Sequence, residues 1–363
     1  MRLVGVAALL SAGCGPVTAP PTGQAASAPQ ATAPAACVSS DRRLALVTLR
    51  GSNLIVVSDV TDIAHPQTVG TLGPLPAPVG ASSAMNGAIG QFVCGRDVSF
   101  VGGNTDDYYA LPTTLFRAPL AGSPRTAVVS GNQAVLVFAS SPDGATVAYL
   151  ASGADTAIHQ VKGGQDVVLA TVPQPGLAGG CEVAPCPGPF QNPADNWDFR
   201  LMFSPDGIMI SMAQSSITNY IRIWTSDGKA VWNSESAGST MSVWSGRDLY
   251  FRDSKGVEVW RAGAVSTFLP GVAWIRPEAS PSGGQIVYEA RDAQGSAHVF
   301  IVDTASGQVR DLGKGRAEPA FLTSRYLWYQ SEPAGKTYMY DLQAGTESES
   351  DITSVIDIWP HAA

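Results

Sequence analysis

Short apolar runs that alternate with polar residues recur along the chain from Asp41 onward. The clearest unit holds the runs Ile208–Met212, Tyr220–Thr225 and Lys229–Asn233, which are separated by short turns. Alternation with a period of two, in runs rich in Val, Ile, Tyr and Phe, is typical of half-buried β-strands. The pattern therefore predicts many short strands and no helical framework.

A four-residue turn marks the start of this unit. Ser204-Pro205-Asp206-Gly207 precedes the first run, and the same turn recurs at Ser141–Gly144 and, in altered form, at Ser280–Gly283. Pro fixes φ at the first turn position, Asp caps the turn with its side chain, and Gly adopts the positive φ that lets the chain reverse. Each copy predicts a tight turn between two strands.

One strand of the unit recurs more widely than the rest. Its copies are Leu54–Val57, Leu115–Ala118, Ile158–Val161, Ile221–Trp224, Val257–Trp260, Val299–Val302 and Tyr338–Tyr340. Their spacing is about forty residues once two Pro/Gly-rich stretches, Gly73–Gln91 and Pro173–Asn196, are left out. A four-stranded unit of this length, repeated about seven times, predicts a β-propeller. Six blades and a large β-sandwich are the alternatives.

The repeat resembles that of TolB-type propellers, whose hallmark is the Ser-Pro-Asp-Gly turn after the innermost strand. The resemblance covers roughly Asp41 to Pro360 of the predicted propeller domain 41–363, and it is most specific at Ser141–Gly144 and Ser204–Gly207. It implies an all-β propeller domain that binds a protein or peptide in the bacterial envelope, without catalysis and without a cofactor. The alternatives are a binding or sensing protein for a small ligand such as a saccharide, and an enzyme on a propeller scaffold.

The two ends of the repeat region complement each other. The first unit lacks a clear innermost strand before Leu44, whereas the strand-like run Ile352–Trp359 is left over after the last unit. Because open sheet edges invite aggregation, a propeller ring is expected to close. The C-terminal run is therefore predicted to complete the first blade.

The composition agrees with this architecture, and the charge distribution argues against a nucleic-acid partner. Only 14% of the residues are charged, while 38 Gly and 26 Pro supply many turns, which disfavours a helical bundle. The net charge is −8, and the basic residues are scattered rather than gathered into a stripe. Since nucleic-acid binding needs such a stripe to neutralise phosphates, no nucleic-acid partner is expected.

The N-terminus has the features of an export signal. Residues 1–13 are short and apolar with one positive charge, as in a signal peptide. Leu10 to Cys14 resembles the bacterial lipobox, which implies that Cys14 is lipidated. Residues 14–40 then form the lipidated Cys and an Ala/Pro-rich tether without a core, whose uncharged part, Gly15 to Ala36, reaches roughly 65 Å when extended. The sequence thus predicts an extracytoplasmic monomer, anchored by lipid to a bacterial membrane on its periplasmic or outer side.

Four cysteines remain after Cys14. Four cysteines allow three pairings, and exported proteins can keep disulfides. Cys181 and Cys186 flank a Pro-rich turn and are predicted to pair, which leaves Cys37 for Cys94. Zinc is the weaker alternative, because no two of these cysteines have the usual two-residue spacing.

Opposite charges cluster where the innermost strands are expected. Three pairs lie two residues apart, so both members of each pair should share one face of a strand. These are Asp198 with Arg200, Arg276 with Glu278, and Arg316 with Glu318. They are predicted to ring the mouth of the central channel and to bind a peptide end or charged molecule, the alternative being a structural ion-pair network.

The segments that depart from the repeat are candidate partner sites, because such loops often carry function. Their aromatic residues are Tyr108, Tyr109, Phe190 and Trp197. They are predicted to contact a partner, the alternative being that they pack onto the faces of the blades. Two carboxylate clusters in these loops supply too few oxygens for calcium, so turn formation is the favoured explanation and no metal is expected. These are Asn104, Asp106 and Asp107, and Asp195, Asn196 and Asp198.

Overall fold

The computed structural model describes residues 37, 42–52, 54–74, 90–101, 114–131, 134–152, 157–171, 198–215, 220–234 and 240–361. All regular secondary structure within these ranges is β-strand. Residues 1–36 and the two loops with the candidate aromatic residues lie outside the described ranges. None of the described segments is a helix long and apolar enough to span a membrane.

The strands form seven antiparallel sheets of four strands each, which we number as blades 1 to 7. The strands of the first three blades are β1 (Leu44–Leu49), β2 (Leu54–Asp59), β3 (Gln67–Pro74), β4 (Gly90–Val93), β5 (Asp97–Val101), β6 (Thr114–Pro119), β7 (Thr126–Ser130), β8 (Ala134–Ser140), β9 (Thr146–Ser152), β10 (Ala157–Lys162) and β11 (Gln165–Thr171). Those of blades 4 and 5 are β12 (Asp198–Phe203), β13 (Met209–Ser215), β14 (Tyr220–Thr225), β15 (Ala230–Ser234), β16 (Thr240–Ser245), β17 (Asp248–Asp253), β18 (Gly256–Arg261) and β19 (Ala264–Pro270). Those that follow are β20 (Ile275–Ala279), β21 (Gln285–Arg291), β22 (Ala297–Asp303), β23 (Val309–Lys314), β24 (Arg316–Phe321), β25 (Tyr326–Ser331), β26 (Thr337–Asp341), β27 (Thr346–Glu349) and β28 (Ile352–Trp359).

Each blade is a four-stranded meander, and in blades 2 to 7 the first strand in the sequence lies innermost. The order within blades 2 to 7 follows the chain, for example β12-β13-β14-β15. Innermost strands of neighbouring blades contact one another from β28 through β4, β8, β12, β16 and β20 to β24, and blades 7 and 1 meet in a buried apolar cluster. Every recurrent run identified in the sequence is the third strand of its blade. The predicted all-β propeller is confirmed, with seven blades rather than six.

The last strand of the chain completes the first blade, as predicted. The order of blade 1 is β28-β1-β2-β3, and Leu44 pairs with Trp359 in the antiparallel ladder between β28 and β1. Ala320 and Trp328 of blade 7 pack with Val47 and Val355 of blade 1 in one buried cluster. The ring is therefore closed at this junction by main-chain pairing and by apolar packing.

The hydrophobic core is divided among the blade junctions. The described residues form seven buried clusters, and each cluster joins side chains of two adjacent blades. Burial of these faces is the main stabilising contribution, at about 25 cal/mol per Å² of apolar surface. Because every blade packs on two neighbours, the ring holds the innermost strands in fixed positions.

The recurrent turn has the predicted chemistry. Gly144, Gly207 and Gly283 adopt φ of 72°, 71° and 70°. The amide of each glycine donates to the carbonyl of the serine three residues earlier, at 2.8 Å in all three turns. In two of them the serine hydroxyl also donates to the aspartate, as Ser204 does to Asp206 at 2.6 Å. These turns fix where each innermost strand ends.

Cys37 and Cys94 form a disulfide, as expected from the sequence. Cys37 precedes blade 1, and Cys94 lies in the turn between β4 and β5 of blade 2. The bond therefore ties the beginning of the propeller to its second blade. Cys14, Cys181 and Cys186 lie outside the described residues, so the second pairing and the lipidation remain sequence predictions.

Candidate functional site in the central channel

Three neighbouring innermost strands carry the same backbone irregularity. Met241 of β16, Arg276 of β20 and Glu318 of β24 have φ of 50°, 49° and 54°, which is the left-handed region that side chains other than glycine rarely adopt. At each of these positions the pairing with the second strand of the blade shifts register. Each strand therefore has a β-bulge, which redirects the side chains that follow it.

Arg200 connects the bulged strands of two blades. It lies on β12, whose pairing with β13 is regular throughout. One guanidinium nitrogen, Nη1, donates to the carbonyl of Pro277 at 3.0 Å and to that of Ser242 at 3.3 Å. These carbonyls directly follow the positive-φ residues. The side chain of blade 4 thus reaches the main chain of blades 5 and 6.

Arg276 and Glu318 form an ion pair between blades 6 and 7. Their charged atoms are 2.5 Å apart, and the side chains are only 21% and 18% exposed. The amide of Glu318 also donates to Oε2 of Glu289 at 3.0 Å. Both members of the pair sit at bulge positions, so the bulges bring opposite charges of neighbouring strands together.

Glu278 is the distinctive ionisable group of the channel. The partly buried carboxylate makes no hydrogen bond or close ion pair with any residue in the described ranges. Burial raises its pKa from 4.5 to about 7, and the nearby Asp357 carboxylate adds to this, whereas Arg200 and Arg276 oppose it. Near neutral pH the channel therefore presents a carboxyl group that can either donate or accept a hydrogen bond.

Asp357 brings the closing strand into the same site. Its Oδ2 accepts the amide proton of Phe92 at 2.6 Å and lies 2.9 Å from Nε2 of His361. Although burial lowers the pKa of His361, the Asp357 carboxylate raises it by more, so that the net shift is upward. The closing strand Ile352–Trp359 was predicted from the sequence, but the role of Asp357 in the channel was not. A signal was present, because Asp357 is the only acidic residue in that strand.

The charges are arranged differently from the expected pairs within single strands. Arg276 bonds to Glu318 and not to Glu278, because the bulge at Arg276 turns its side chain toward the next blade. Arg316 leaves the channel altogether. Its guanidinium lies 2.7 Å from Glu347 of the outermost strand and stacks over the rings of Tyr329 and Tyr340. The predicted pair of Arg316 with Glu318 is therefore not formed.

The structure describes only one of the remaining candidate residues, and only its backbone. Asp198 is the first residue of β12, and its side chain is not among the described parts. Tyr108, Tyr109, Phe190 and Trp197 also lie outside the described residues, as do the loop carboxylates considered for calcium. Within the described ranges, no cluster of three or more His, Cys, Asp and Glu side chains is arranged to hold a metal ion.

The channel residues can thus recognise charge and hydrogen-bonding groups. They combine a fixed ion pair, an arginine anchored on carbonyls and a carboxyl group of shifted pKa, namely Arg276 with Glu318, Arg200 and Glu278. The groups come from different blades, and the closed ring determines their separation. Convergent polar groups of this kind are typical of binding sites.

Comparison with known proteins supports the fold. No protein-family model matches the sequence, and no curated protein matches it significantly. Among solved structures, an oligogalacturonate lyase from Vibrio parahaemolyticus is 8% identical, with 85% of each chain covered and a TM-score of 0.54. A prolyl endopeptidase is 12% identical over 85% of this chain and 50% of its own, with a TM-score of 0.53. TolB from Acinetobacter baumannii is 17% identical over 85% of this chain and 79% of its own, with a TM-score of 0.46. At these identities the likeness establishes the fold alone, and the chain is a seven-bladed β-propeller.

Proposed function

We propose that this propeller is a non-enzymatic module of the bacterial envelope that binds a protein or peptide partner at its central channel. The observation that carries the proposal is that Glu278, Arg276 and Glu318 of two adjacent innermost strands lie close enough to interact through Arg276. A carboxyl group and an ion pair within reach of one another suit a peptide, whose main chain and termini offer both donors and acceptors.

The location is part of the proposal. The Cys37–Cys94 disulfide is consistent with an oxidising, extracytoplasmic compartment. The segment from Leu10 to Cys14 supports a lipid anchor, and the Ala/Pro-rich tract after it supports a flexible connection to the propeller. Together they would hold the channel near a membrane surface, where envelope proteins are within reach.

Affinity capture from detergent-solubilised envelopes tests the function. The full chain is immobilised, and stoichiometric partners are compared between the native protein and the channel variants Glu278→Gln and Arg276→Gln. Removal of one charge from a partly buried site is expected to weaken capture at least about tenfold, since a hydrogen bond to a charged group contributes about 1.5–3 kcal/mol.

Arg316→Gln is the matched control, because it removes the same charge from β24 at a position outside the channel. Capture by this variant is expected to equal that of the native chain. Equal capture by the native chain and both channel variants would contradict a role for the channel. Partner loss in the Arg316 variant alone would instead place the interface on the outer strands of blade 7.

A further inference from the structure

A second concave site lies between blades 6 and 7, away from the channel charges. Its volume is about 450 Å³, within the usual range for small-ligand sites. The lining residues come from the end of β22, the start of β23 and the residues just after β26. The turns that follow β20 and β24 lie beside them. Arg276 and Glu318 lie near the beginnings of those two strands, so this cleft is at the opposite end of the blades.

The floor of the cleft is aliphatic. Ile301 belongs to the buried cluster that joins blades 6 and 7, and Leu342 packs against that cluster. Leu342 is only partly buried, whereas the exposed Val309 pairs with Val302 and so faces the junction of blades 5 and 6. The apolar junction of the two blades thus opens to solvent here, and it offers a surface for a small aliphatic side chain.

One cation in the cleft is not neutralised by the surrounding protein. The guanidinium of Arg310 is exposed and makes no hydrogen bond or ion pair with any residue that the structure describes. The carboxylates nearby are already engaged. Asp341 holds Arg325 at 2.9 Å, and Asp303 accepts the amide of Ser306 at 2.7 Å. Arg310 therefore remains available for an anion.

Three amide side chains surround the same space. Gln285, Gln308 and Gln343 line the cleft, and their carboxamides form no hydrogen bond with the described residues. A carboxamide both donates and accepts, which matches the peptide group of an extended chain. A guanidinium whose N–H donors have no acceptor can in turn bind a carboxylate with two parallel hydrogen bonds.

We propose that this cleft binds a short extended peptide whose carboxylate is received by Arg310. The glutamine carboxamides bond to the peptide main chain, and Ile301 and Leu342 accept one small aliphatic side chain. The carboxylate belongs either to an acidic side chain or to a chain end, because both present the same two oxygens. This site is separate from the channel, so the proposal holds whether or not the channel binds a partner.

Titration calorimetry on the full chain tests the proposal with three peptides. The first is acetyl-Ala-Glu-Ala-Val-amide, the second replaces its Glu by Gln, and the third is acetyl-Ala-Gln-Ala-Val with a free carboxyl end. The first or third peptide is expected to bind at least about tenfold more tightly than the second, since a charged hydrogen bond contributes about 1.5–3 kcal/mol. Which of the two binds identifies the source of the carboxylate.

Two variants localise the effect. Arg310→Gln is expected to abolish the preference for a carboxylate, and the exposed position lets the variant fold normally. Lys255→Gln removes one exposed positive charge from the turn between β17 and β18, and it is expected to keep the preference. Equal binding of all three peptides, an unchanged preference in Arg310→Gln, or binding of glucuronate but of no peptide would each overturn the proposal.

Discussion

At the scale of single residues, Glu278 makes the stability of the fold depend on pH. Its pKa is about 7 in the folded chain and 4.5 ordinarily, so the native state binds the proton more tightly than the unfolded state. The stabilisation is therefore fully present below about pH 4.5 and is lost as the pH rises through about 7. A shift of this size corresponds to at most about 3 kcal/mol.

Glu278→Gln is expected to remove this component. Between pH 5 and pH 8 the free energy of unfolding of the native chain should fall by up to about 3 kcal/mol more than that of the variant. His361, whose pKa is also raised, titrates in both proteins and cancels in the difference. Denaturant titrations at both pH values provide the measurement, and parallel pH dependences of the two proteins would refute the assignment.

The residues of the channel were only partly predictable from the sequence. Period-two spacing correctly placed Arg276 and Glu278 on an innermost strand, but it assumed a regular backbone. The positive φ at Arg276 and Glu318 invalidates that assumption. A signal for these bulges was present, because Pro277 and Pro319 follow them directly, and proline within a sheet is confined to edges and bulges.

At the scale of elements, the turn between β4 and β5 packs against the closing strand. A Cβ atom on Gly95 would lie 2.4 Å from Nε1 of Trp359, which no side chain tolerates without movement. Gly163, in the turn between β10 and β11, has a similar φ of +59° against +62°, but it has no atom within 4 Å. An alanine at either position would be strained by the positive φ, but only an alanine at position 95 would also clash with a neighbouring side chain. Comparison of the two substitutions therefore isolates the effect of the clash.

Gly95→Ala is expected to destabilise the protein by about 1–3 kcal/mol more than Gly163→Ala, since overpacking adds to the shared strain of positive φ. The free energies of unfolding from denaturant titrations give the comparison. Equal losses in the two variants would mean that Trp359 yields without cost and that the turn does not secure β28.

The elements were predictable to a greater degree than the site. The third strands and the serine-proline turns follow local rules, namely period-two alternation and the φ requirement of Gly144, Gly207 and Gly283. These rules act over a few neighbouring residues, so they produce residue patterns that can be recognised in the sequence. The contact of Gly95 with Trp359 joins positions far apart in the chain, and no local sequence pattern predicts it.

At the scale of the whole molecule, the Cys37–Cys94 disulfide encloses all three strands that the N-terminal part contributes to blade 1. The bond closes a loop with a sequence separation of 57 residues. In the chain-entropy account, a loop of this length stabilises the fold by about 4 kcal/mol through its effect on the unfolded state.

The double variant Cys37→Ser with Cys94→Ser is accordingly expected to lose up to about 4 kcal/mol of unfolding free energy. Reductant should lower the stability of the native chain to that of the variant, and it should leave the variant unchanged. If the native chain and the variant unfold at the same denaturant concentration without reductant, the bond does not constrain the unfolded chain as argued.

The pairing of β28 with β1 also imposes an order on biosynthesis. The edge of β1 that pairs with β28 has no partner until Ile352–Trp359 has been synthesised, although blades 2 to 7 are by then complete in sequence. A growing chain therefore carries one unpaired strand edge until that segment has been made. The open edge can pair with other chains during this interval, and the closing strand removes this hazard.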